Sequence, residues 1–591
     1  MKALRAVGLL ADFSDAGVLE PADVHVAQRL GVLAGESDDR VLLAVALTVR
    51  GTRNGSVVLD LDEAACTIAP DTDEASDAVE LPWPETAGWV AACSASALVT
   101  GAAGGPPLRM VGARLWLDRY WRQEVQVADD LLRRSADRPD DIDRGPLDAD
   151  LDELFDDAAA DQRQAVAVAA TSRVAVIAGG PGTGKTTTVA QLITVLLRRL
   201  GPGLRVALAA PTGKAAARLE EAVHSARGNL TDDDRAALAR LSASTLHRLL
   251  GWRPGTSSRF RHDRDNHLPF DVVMVDESSM VSLTLMARLL EALGPATRLV
   301  LVGDPDQLAS VEAGAVLGDL VDADSPDARL RESVVRLRTV YRFAAGGPIA
   351  ELAALVRAGR GDDALALLRS GADGLVFAEV ADDETVSGPA LAAVQSAVVA
   401  HESALIAAAA SGDVEGALDA LDRHRLLCAH RGGPRGVRHW SEHAERWLAP
   451  SLDVRGDGRY AGQPLLVTSN DYDVGLYNGD TGVVVRHGDG LLAAFARGGT
   501  PTVLPLVRLG EVRPLHAMTV HRAQGSQFAE VTVLLPLAAS PLATRQTFYT
   551  AITRAASSVR LIGSAESVLA CVERPIARAT GLRSRLSGHS P

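Results

Sequence analysis

Short, almost uninterrupted apolar runs punctuate the middle of the chain. Val174-Ala175-Val176-Ile177-Ala178, Val206-Ala207-Leu208-Ala209-Ala210, Val272-Val273-Met274-Val275 and Leu299-Val300-Leu301-Val302 each end at a glycine or polar turn. Continuous runs of this length predict strands buried on both faces. Helical patterns fall between them, as from Thr187 to Leu200, so the segment predicts a parallel α/β sheet. The first part of the chain reads differently. It shows helical patterning over 23–35 and 40–50, a short strand over 55–61, and a further helix over Arg114–Glu124 carrying Trp116, Tyr120 and Trp121. These aromatics are expected mostly in the core, with a partner-docking surface as the alternative. From 462 to 515, β-rich runs alternate with glycine turns, which predicts a small barrel.

At 591 residues the chain exceeds one domain. The patterns divide it into a small N-terminal α+β domain (1–125), an acidic linker (126–160) and a first sheet domain (161–335) with a hairpin insert (251–269). A second sheet domain follows (336–461 and 516–576), interrupted by the barrel (462–515), and a tail closes the chain (577–591).

Composition changes little in this picture. Hydrophobic content of 47% and charged content of 23% suit a soluble globular protein. No apolar run is expected to span a bilayer, and the N-terminus makes a poor signal peptide, so a cytoplasmic location without membrane contact is expected. Cys66, Cys93, Cys428 and Cys571 lie far apart and read as buried free thiols. The net charge of -15 argues only weakly against nucleic acid, because eleven acidic residues face two arginines between Asp137 and Asp161. That run reads as solvated, and a local basic groove elsewhere stays possible.

Charge matters more in detail. Among 60 basic residues only Lys2, Lys185 and Lys214 are lysine. A lysine kept in such a chain points to a task for a compact ammonium. Lys185 belongs to Gly179-Gly180-Pro181-Gly182-Thr183-Gly184-Lys185-Thr186, between a strand and a helix. This is the P-loop pattern: backbone N–H groups and a helix N-terminus cradle phosphates, the lysine reaches the β- and γ-phosphates, and Thr186 can ligate Mg²⁺. Thr187 follows in the first turn. Gln162, one short helix upstream, is a candidate reader of the adenine edge.

About ninety residues on, Asp276-Glu277 ends a buried strand, as in a Walker B motif. Asp276 would hold Mg²⁺, and Glu277 would polarise the attacking water. Gln307, in Gly303-Asp304-Pro305-Asp306-Gln307-Leu308, is placed to sense the γ-phosphate. Pro211, Thr212 and Lys214 end another strand, and Thr245 and His247 offer groups suited to a phosphodiester backbone. The insert carries Trp252 and Phe260 with Arg253, Arg259, Arg261 and Arg264; a strand-separating pin and an ordinary loop are the two readings.

The ordered set resembles a superfamily 1 helicase. Leu337 to Phe343 matches a motif in which Arg342 reaches ATP across a cleft, Ala517 to Phe528 resembles motif V, and Tyr549 to Ala555 resembles motif VI with Arg554 as a second finger. Where that family usually has lysine in motif V this chain has Arg522. Over essentially the whole chain the resemblance is to the RecD branch of superfamily 1B, the alpha chains of exodeoxyribonuclease V. It implies two RecA-like P-loop motor domains, an SH3-like barrel insertion and an N-terminal α+β domain. It also implies ATP and Mg²⁺ as cofactors, with Gln524 and Gly525 serving nucleotide binding. Asn470, Asn478, Thr519 and His521 join the DNA contacts. The implied activity is a 5'-to-3' helicase on single-stranded DNA and duplex ends, with RecB-like and RecC-like partners, one of which would hold the nuclease. A stand-alone RecD-like helicase and a structural subunit with a vestigial motor are the alternatives.

Overall fold

The computed structural model describes residues 6–68, 81–100, 105–226, 229–253, 259–323, 328–341, 347–382, 385–452, 458–471, 473–496, 501–576 and 578–589. The chain begins with three helices, α1 (Leu9–Asp15), α2 (Pro21–Ala34) and α3 (Asp39–Arg53). Glu20 and Asp23 form a capping box ahead of Pro21, which explains why α2 starts there. α1 and α2 pack on α3, and α3 packs on a four-stranded sheet of order β1-β4-β3-β2: β1 (Val58–Asp60), β2 (Val99–Thr100), β3 (Leu108–Val111) and β4 (Arg114–Leu117).

Two expectations fail here. Arg114–Leu117 is a strand paired with β1 and β3, and helix α4 (Asp118–Ala136) begins only after it. Trp116 is therefore fully buried and offers no docking surface, while Tyr120 and Trp121 pack against the same core. The acidic stretch is not a solvated linker. Helix α5 (Arg144–Leu154) buries Leu147, Leu151 and Leu154 against the core beneath the first large sheet. Its acids are used as well: Arg198 and Arg199 pair with Asp150, and Arg298 with Asp141.

Helix α6 (Ala160–Ala170) leads to that sheet, which is six-stranded, parallel and ordered β10-β5-β9-β8-β6-β7. Its strands are β5 (Val174–Gly179), β6 (Val206–Ala210), β7 (Ala243–Thr245), β8 (Val272–Val275), β9 (Arg298–Gly303) and β10 (Val334–Leu337). β5, β8 and β9 are buried along their whole length, as their unbroken apolar sequences require. Around them lie α7 (Lys185–Leu200), α8 (Gly213–His224), α9 (Leu246–Leu250) and α10 (Val316–Asp322).

The second sheet is parallel, five-stranded and ordered β11-β20-β19-β12-β18. It comprises β11 (Leu375–Glu379), β12 (His424–Cys428), β18 (Ala517–Thr519), β19 (Phe528–Leu534) and β20 (Ala555–Gly563). Between β12 and β18 the chain makes an antiparallel sheet of β13 (Pro464–Val467), β14 (Thr481–His487), β15 (Gly490–Phe495), β16 (Thr502–Pro505) and β17 (Val512–Pro514). Its order is β16-β15-β14-β13-β17, and among the described residues no pairing joins β16 to β17.

Helix α11 (Gly388–Ser411) is long and apolar enough, by length and composition, to cross a membrane, with mean hydropathy 1.4. This corrects the expectation that no such run exists. Here it packs on the helices Val414–Arg423 and Val437–Leu448 and on β14. Helix α12 (Arg545–Ile552) lies against the second sheet. Three cysteines are buried, but Cys66 is exposed.

The expected tail is structural. After α12 and β20 the chain returns to its beginning, where α13 (Leu582–Leu586) buries Leu582 and Leu586 in the core shared by Trp116 and the first large sheet. The Ala579 carbonyl accepts hydrogen bonds from the N–H groups of Val57 and Val58, and the Gly581 N–H donates to Glu124 at 2.8 Å. Thr580 donates to Asp319, and Arg578 to the Ser310 carbonyl. This strap thus joins the N-terminal domain to the first sheet domain.

Candidate functional site

β5 delivers the glycine loop to the carboxyl edge of the first sheet, and α7 begins at Lys185. Gly182 and Gly184 have φ of 80° and 79°, a left-handed backbone that a side chain would strain. A Cβ on Gly184 would also meet the Gln162 amide at 2.1 Å. Gln162 is buried and donates to the Thr183 carbonyl at 3.2 Å, so it braces the loop that it was expected to extend toward adenine. Thr183 donates to the Gly180 carbonyl at 2.9 Å. Lys185 Nζ donates to the carbonyls of Gly179 at 2.8 Å and Gly180 at 2.9 Å, so its ammonium sits across the mouth of the loop. Pro181 and Thr186 are half-buried on that mouth, and Thr187 is exposed.

Two acids face this lysine. Asp276 lies just beyond β8, and burial, then the neighbouring Glu277, push its carboxyl above the usual range, while Lys185 pulls it down. Asp304, beyond β9, is likewise raised by burial and lowered by Lys185. Glu277 has φ 49°, the single non-glycine residue with a left-handed backbone among the described residues. Such strain costs about 1–3 kcal/mol and is held by its surroundings. Asp304 Oδ2 accepts from Gln307 Nε2 at 2.9 Å and from the Tyr549 hydroxyl at 3.2 Å. Gln307 Oε1 is buried without a partner. Buried acids with raised affinity for a proton, one ammonium and hydroxyl oxygens fit a nucleotide phosphate carried with a hard divalent cation.

The second sheet closes over this edge. Arg554 is buried, and its guanidinium donates to the carbonyls of Thr550 at 3.1 Å and Ser526 at 3.2 Å. Burial lowers its pKa, and Glu277 and Asp304 are the first charges that oppose the shift. Tyr549 approaches the loop so closely that a Cβ on Gly180 would lie 3.0 Å from its hydroxyl. Gln524, expected to serve the nucleotide, instead donates to the Leu308 carbonyl at 2.5 Å. A Cβ on Gly525 would lie 3.4 Å from Ala215 of α8. Arg342 lies outside the described residues. Its neighbour Tyr341 was missed: its N–H donates to the Gly182 carbonyl at 2.7 Å, and a Cβ on Gly184 would meet its ring at 3.7 Å. An aromatic next to a finger arginine, in a chain with 4% aromatics, was the available signal.

The strand-binding candidates fall into groups. Pro211 ends β6, and Thr245 pairs across from Ala210, so the two share one edge of the first sheet. Thr519 ends β18 on the second. Thr212, Thr245 and Thr519 are all helix N-caps, accepting from Ala215 N at 3.2 Å, Arg248 N at 3.2 Å and Arg522 N at 3.4 Å. Thr212 and Thr245 are half-buried and Thr519 is buried, so the first two present helix starts where a phosphate would be favoured. His521, half-buried, follows Thr519. Arg431, Arg513 and Arg522 are exposed and near one another: burial first, then the charges of Arg431 and Arg513, lower the Arg522 pKa. Arg431 and Arg513 went unnoticed in the sequence, because three separate elements bring them together.

Other candidates are corrected. Lys214 points into the seam with the inserted sheet: Nζ donates to Thr481 Oγ1 at 3.3 Å, and burial pushes its pKa down to about 8. Tyr477 of that sheet packs on Gly213, where a Cβ would meet it at 3.3 Å. Phe260 is buried, bridges to Trp252 and lies 5.8 Å from the His247 ring, so it cannot meet a fork. Trp252 stays partly exposed, Arg264 pairs with Asp130 at 3.4 Å, and residues 254–258 lie outside the described ones. Asn470 Oδ1 accepts from Asn478 N at 2.9 Å, which makes this pair a turn.

Comparison with known proteins agrees with this architecture. Residues 15–116 match the family model described as the RecBCD enzyme subunit RecD, N-terminal domain, residues 162–313 an AAA domain, and residues 514–562 a UvrD-like helicase C-terminal domain. The chain is 50% identical to the RecBCD enzyme subunit RecD of Mycolicibacterium smegmatis, over 98% of this chain and 99% of that one. It is also 50% identical to the RecD subunit of Mycobacterium tuberculosis (strain CDC 1551 / Oshkosh), over 99% and 98%. To the ATP-dependent RecD2 DNA helicase of Deinococcus radiodurans it is 33% identical, over 71% of this chain and 51% of that one.

Proposed function

The chain belongs to the RecD family and is an ATP-dependent DNA helicase, and on that premise we propose that it is the 5'-to-3' motor of a RecBCD-type helicase–nuclease acting at double-strand ends. Partners of RecB-like and RecC-like kind would complete the assembly, one of them carrying the nuclease. Identity of 50% to RecD subunits against 33% to the RecD2 helicase favours the subunit over the stand-alone reading. Such work belongs with the chromosome, in the cytoplasm.

The observation that carries the reading is the meeting of Lys185, Asp276, Glu277, Gln307 and Arg554 at one seam between two parallel sheets. ATP and Mg²⁺ supply the bond that is broken and the charge that must be balanced. Lys185, whose ammonium now holds the Gly179 and Gly180 carbonyls, would bind phosphate oxygens. Thr186 and Asp276 would hold the cation, with the Gly179–Thr187 loop enclosing the phosphates. Glu277 would orient water, and Gln307 would sense the terminal phosphate. Arg554, with Arg342, would supply charge from the second sheet and bias the cleft toward closure. Along the exposed edges, the N-capped helix starts at Thr212, Thr245 and Thr519 and the Arg431–Arg513–Arg522 cluster would grip a single strand, the inserted sheet acting as an SH3-like clamp. Changes in closure then become steps.

The test is DNA-stimulated ATPase and unwinding of forked duplexes with either a 5' or a 3' tail. Wild type should hydrolyse ATP faster with single-stranded DNA and open only the 5'-tailed fork, and Lys185→Gln should lose at least about a hundredfold in rate. Equal rates for the two proteins would establish a structural subunit. Opening of the 3'-tailed fork would reverse the polarity.

A further inference from the structure

Leu308 leaves the first sheet domain at the end of the Asp304–Leu308 turn and enters the core of the second. Its side chain is fully buried among Leu427, Met518, Val520, Phe548 and Tyr549. Both its backbone groups are held from the other side of the cleft. The Leu308 N–H donates to Thr550 Oγ1 at 2.9 Å, and its carbonyl accepts from Gln524 Nε2 at 2.5 Å. Buried backbone groups most often pair with other backbone groups, and here both halves of one residue pair with side chains of a separate domain.

Thr550 has a second contact. Its carbonyl accepts from Arg554 Nε, so one fully buried residue holds Leu308 with its hydroxyl and the arginine with its backbone. Gln524 lies two residues before Ser526, whose carbonyl accepts the other arginine nitrogen. On the near side, Leu308 adjoins Gln307, whose Nε2 is held by Asp304 and whose buried Oε1 has no partner. When phosphate arrives with its water, Gln307 Nε2 can pass from Asp304 to a phosphate oxygen and Oε1 can accept from the water, and any turn of residues 304–308 pulls on Thr550.

We infer that Thr550 is a positioning residue which, through the Leu308 backbone, transmits the state of Gln307 to Arg554 and to the strand-gripping edge of the second sheet. The inference rests on the helicase reading and assigns its coupling to a particular contact. Thr550 touches no phosphate and no nucleic acid in this scheme. Its removal should leave each site formed and cut the link between them. By linkage, the link is the factor by which nucleotide changes DNA affinity, and it must act equally in both directions.

The test compares wild type, Thr550→Val and Thr550→Ser as full chains. Single-strand Kd is measured with and without a non-hydrolysable ATP analogue, alongside ATPase with and without DNA. In Thr550→Val the DNA-free ATPase should stay within about twofold of wild type while DNA stimulation falls about tenfold, and the nucleotide-dependent ratio of Kd values should approach one. Thr550→Ser, which keeps the hydroxyl, should restore at least half of the stimulation. Stimulation of Thr550→Val equal to wild type, an equal fall in DNA-free and stimulated rates, or failure of serine to rescue would each overturn the inference. If Thr550→Val does not fold, Gln524→Met breaks the other half of the contact and must collapse the same Kd ratio; an unchanged ratio would reject the coupling. A wild type lacking any DNA stimulation would instead reject the helicase reading itself.

Discussion

The first large sheet has two seams, and they are made of opposite materials. Toward the second sheet it presents buried charge, an orphaned Gln307 oxygen and a left-handed Glu277. On the other side its Val273, Val275, Leu299 and Leu301 share one apolar core with Trp116, Val127, Leu131, Leu582 and Leu586, with Glu124 held by Trp116 and Gly581. Strain and an unpaired polar group should make the first seam inexpensive to rearrange. Apolar packing makes the second costly to open. The contrast yields an expectation about which joint moves: the N-terminal domain and the first sheet share one apolar core and should behave as one body, with the second sheet moving against it.

Four experiments can break or sharpen that contrast. At the mobile seam, Glu277→Gln should lower the stimulated ATPase rate by about a hundred- to a thousandfold, with little change in DNA Kd without nucleotide; a rate within tenfold of wild type would remove Glu277 from the water-orienting role. At the fixed seam, Leu582→Ala should cost about 4 kcal/mol in denaturant titration, because the cavity lies in a closed core. An equal loss of nucleotide affinity would show that the two seams are one.

Glu124 tests the same seam by pH. Burial first, opposed by the Gly581 N–H and Arg585, raises its carboxyl from 4.5 to about 7. A carboxyl raised on folding lends stability that is complete below the unfolded pKa of 4.5 and is lost as pH rises through 7. Glu124→Gln cannot lose that proton. Its melting temperature should gain on wild type between pH 5 and pH 8, by an amount worth up to about 3 kcal/mol. A gap independent of pH would contradict the buried-carboxyl account. The smallest effect is expected at Glu277→Gly, where release of the left-handed strain should stabilise the inactive protein by about 1 kcal/mol. A loss of stability there would mean that the Glu277 side chain, and not the catalytic task, holds the turn.

Much of the mobile seam was legible in the sequence, because glycine loops, strand-end acids and finger arginines act through their own side chains at fixed spacing. The fixed seam was not. Leu147, Leu151 and Leu154 follow a helical period, but the surrounding acids disguised it, and those acids turn out to neutralise Arg198, Arg199 and Arg298. Arg114–Leu117 runs into α4 without a break in pattern, and only pairing with β1 and β3 makes it a strand. Thr550 and Gln524 could not be read at all, since their partner is a backbone group more than two hundred residues away.

The strap also sets an order of events during synthesis. Trp116 and Leu582 share one core, yet 466 residues separate them along the chain (582 minus 116). At about 5–20 residues per second, a ribosome takes roughly 25 to 90 seconds to cover that distance. Throughout that interval the N-terminal domain exists with its Trp121 face uncovered and Glu124 lacking the Gly581 N–H. The nascent domain therefore lacks that cover until Gly581 to Leu586 emerge, and a chain broken before Leu582 should leave the same face uncovered.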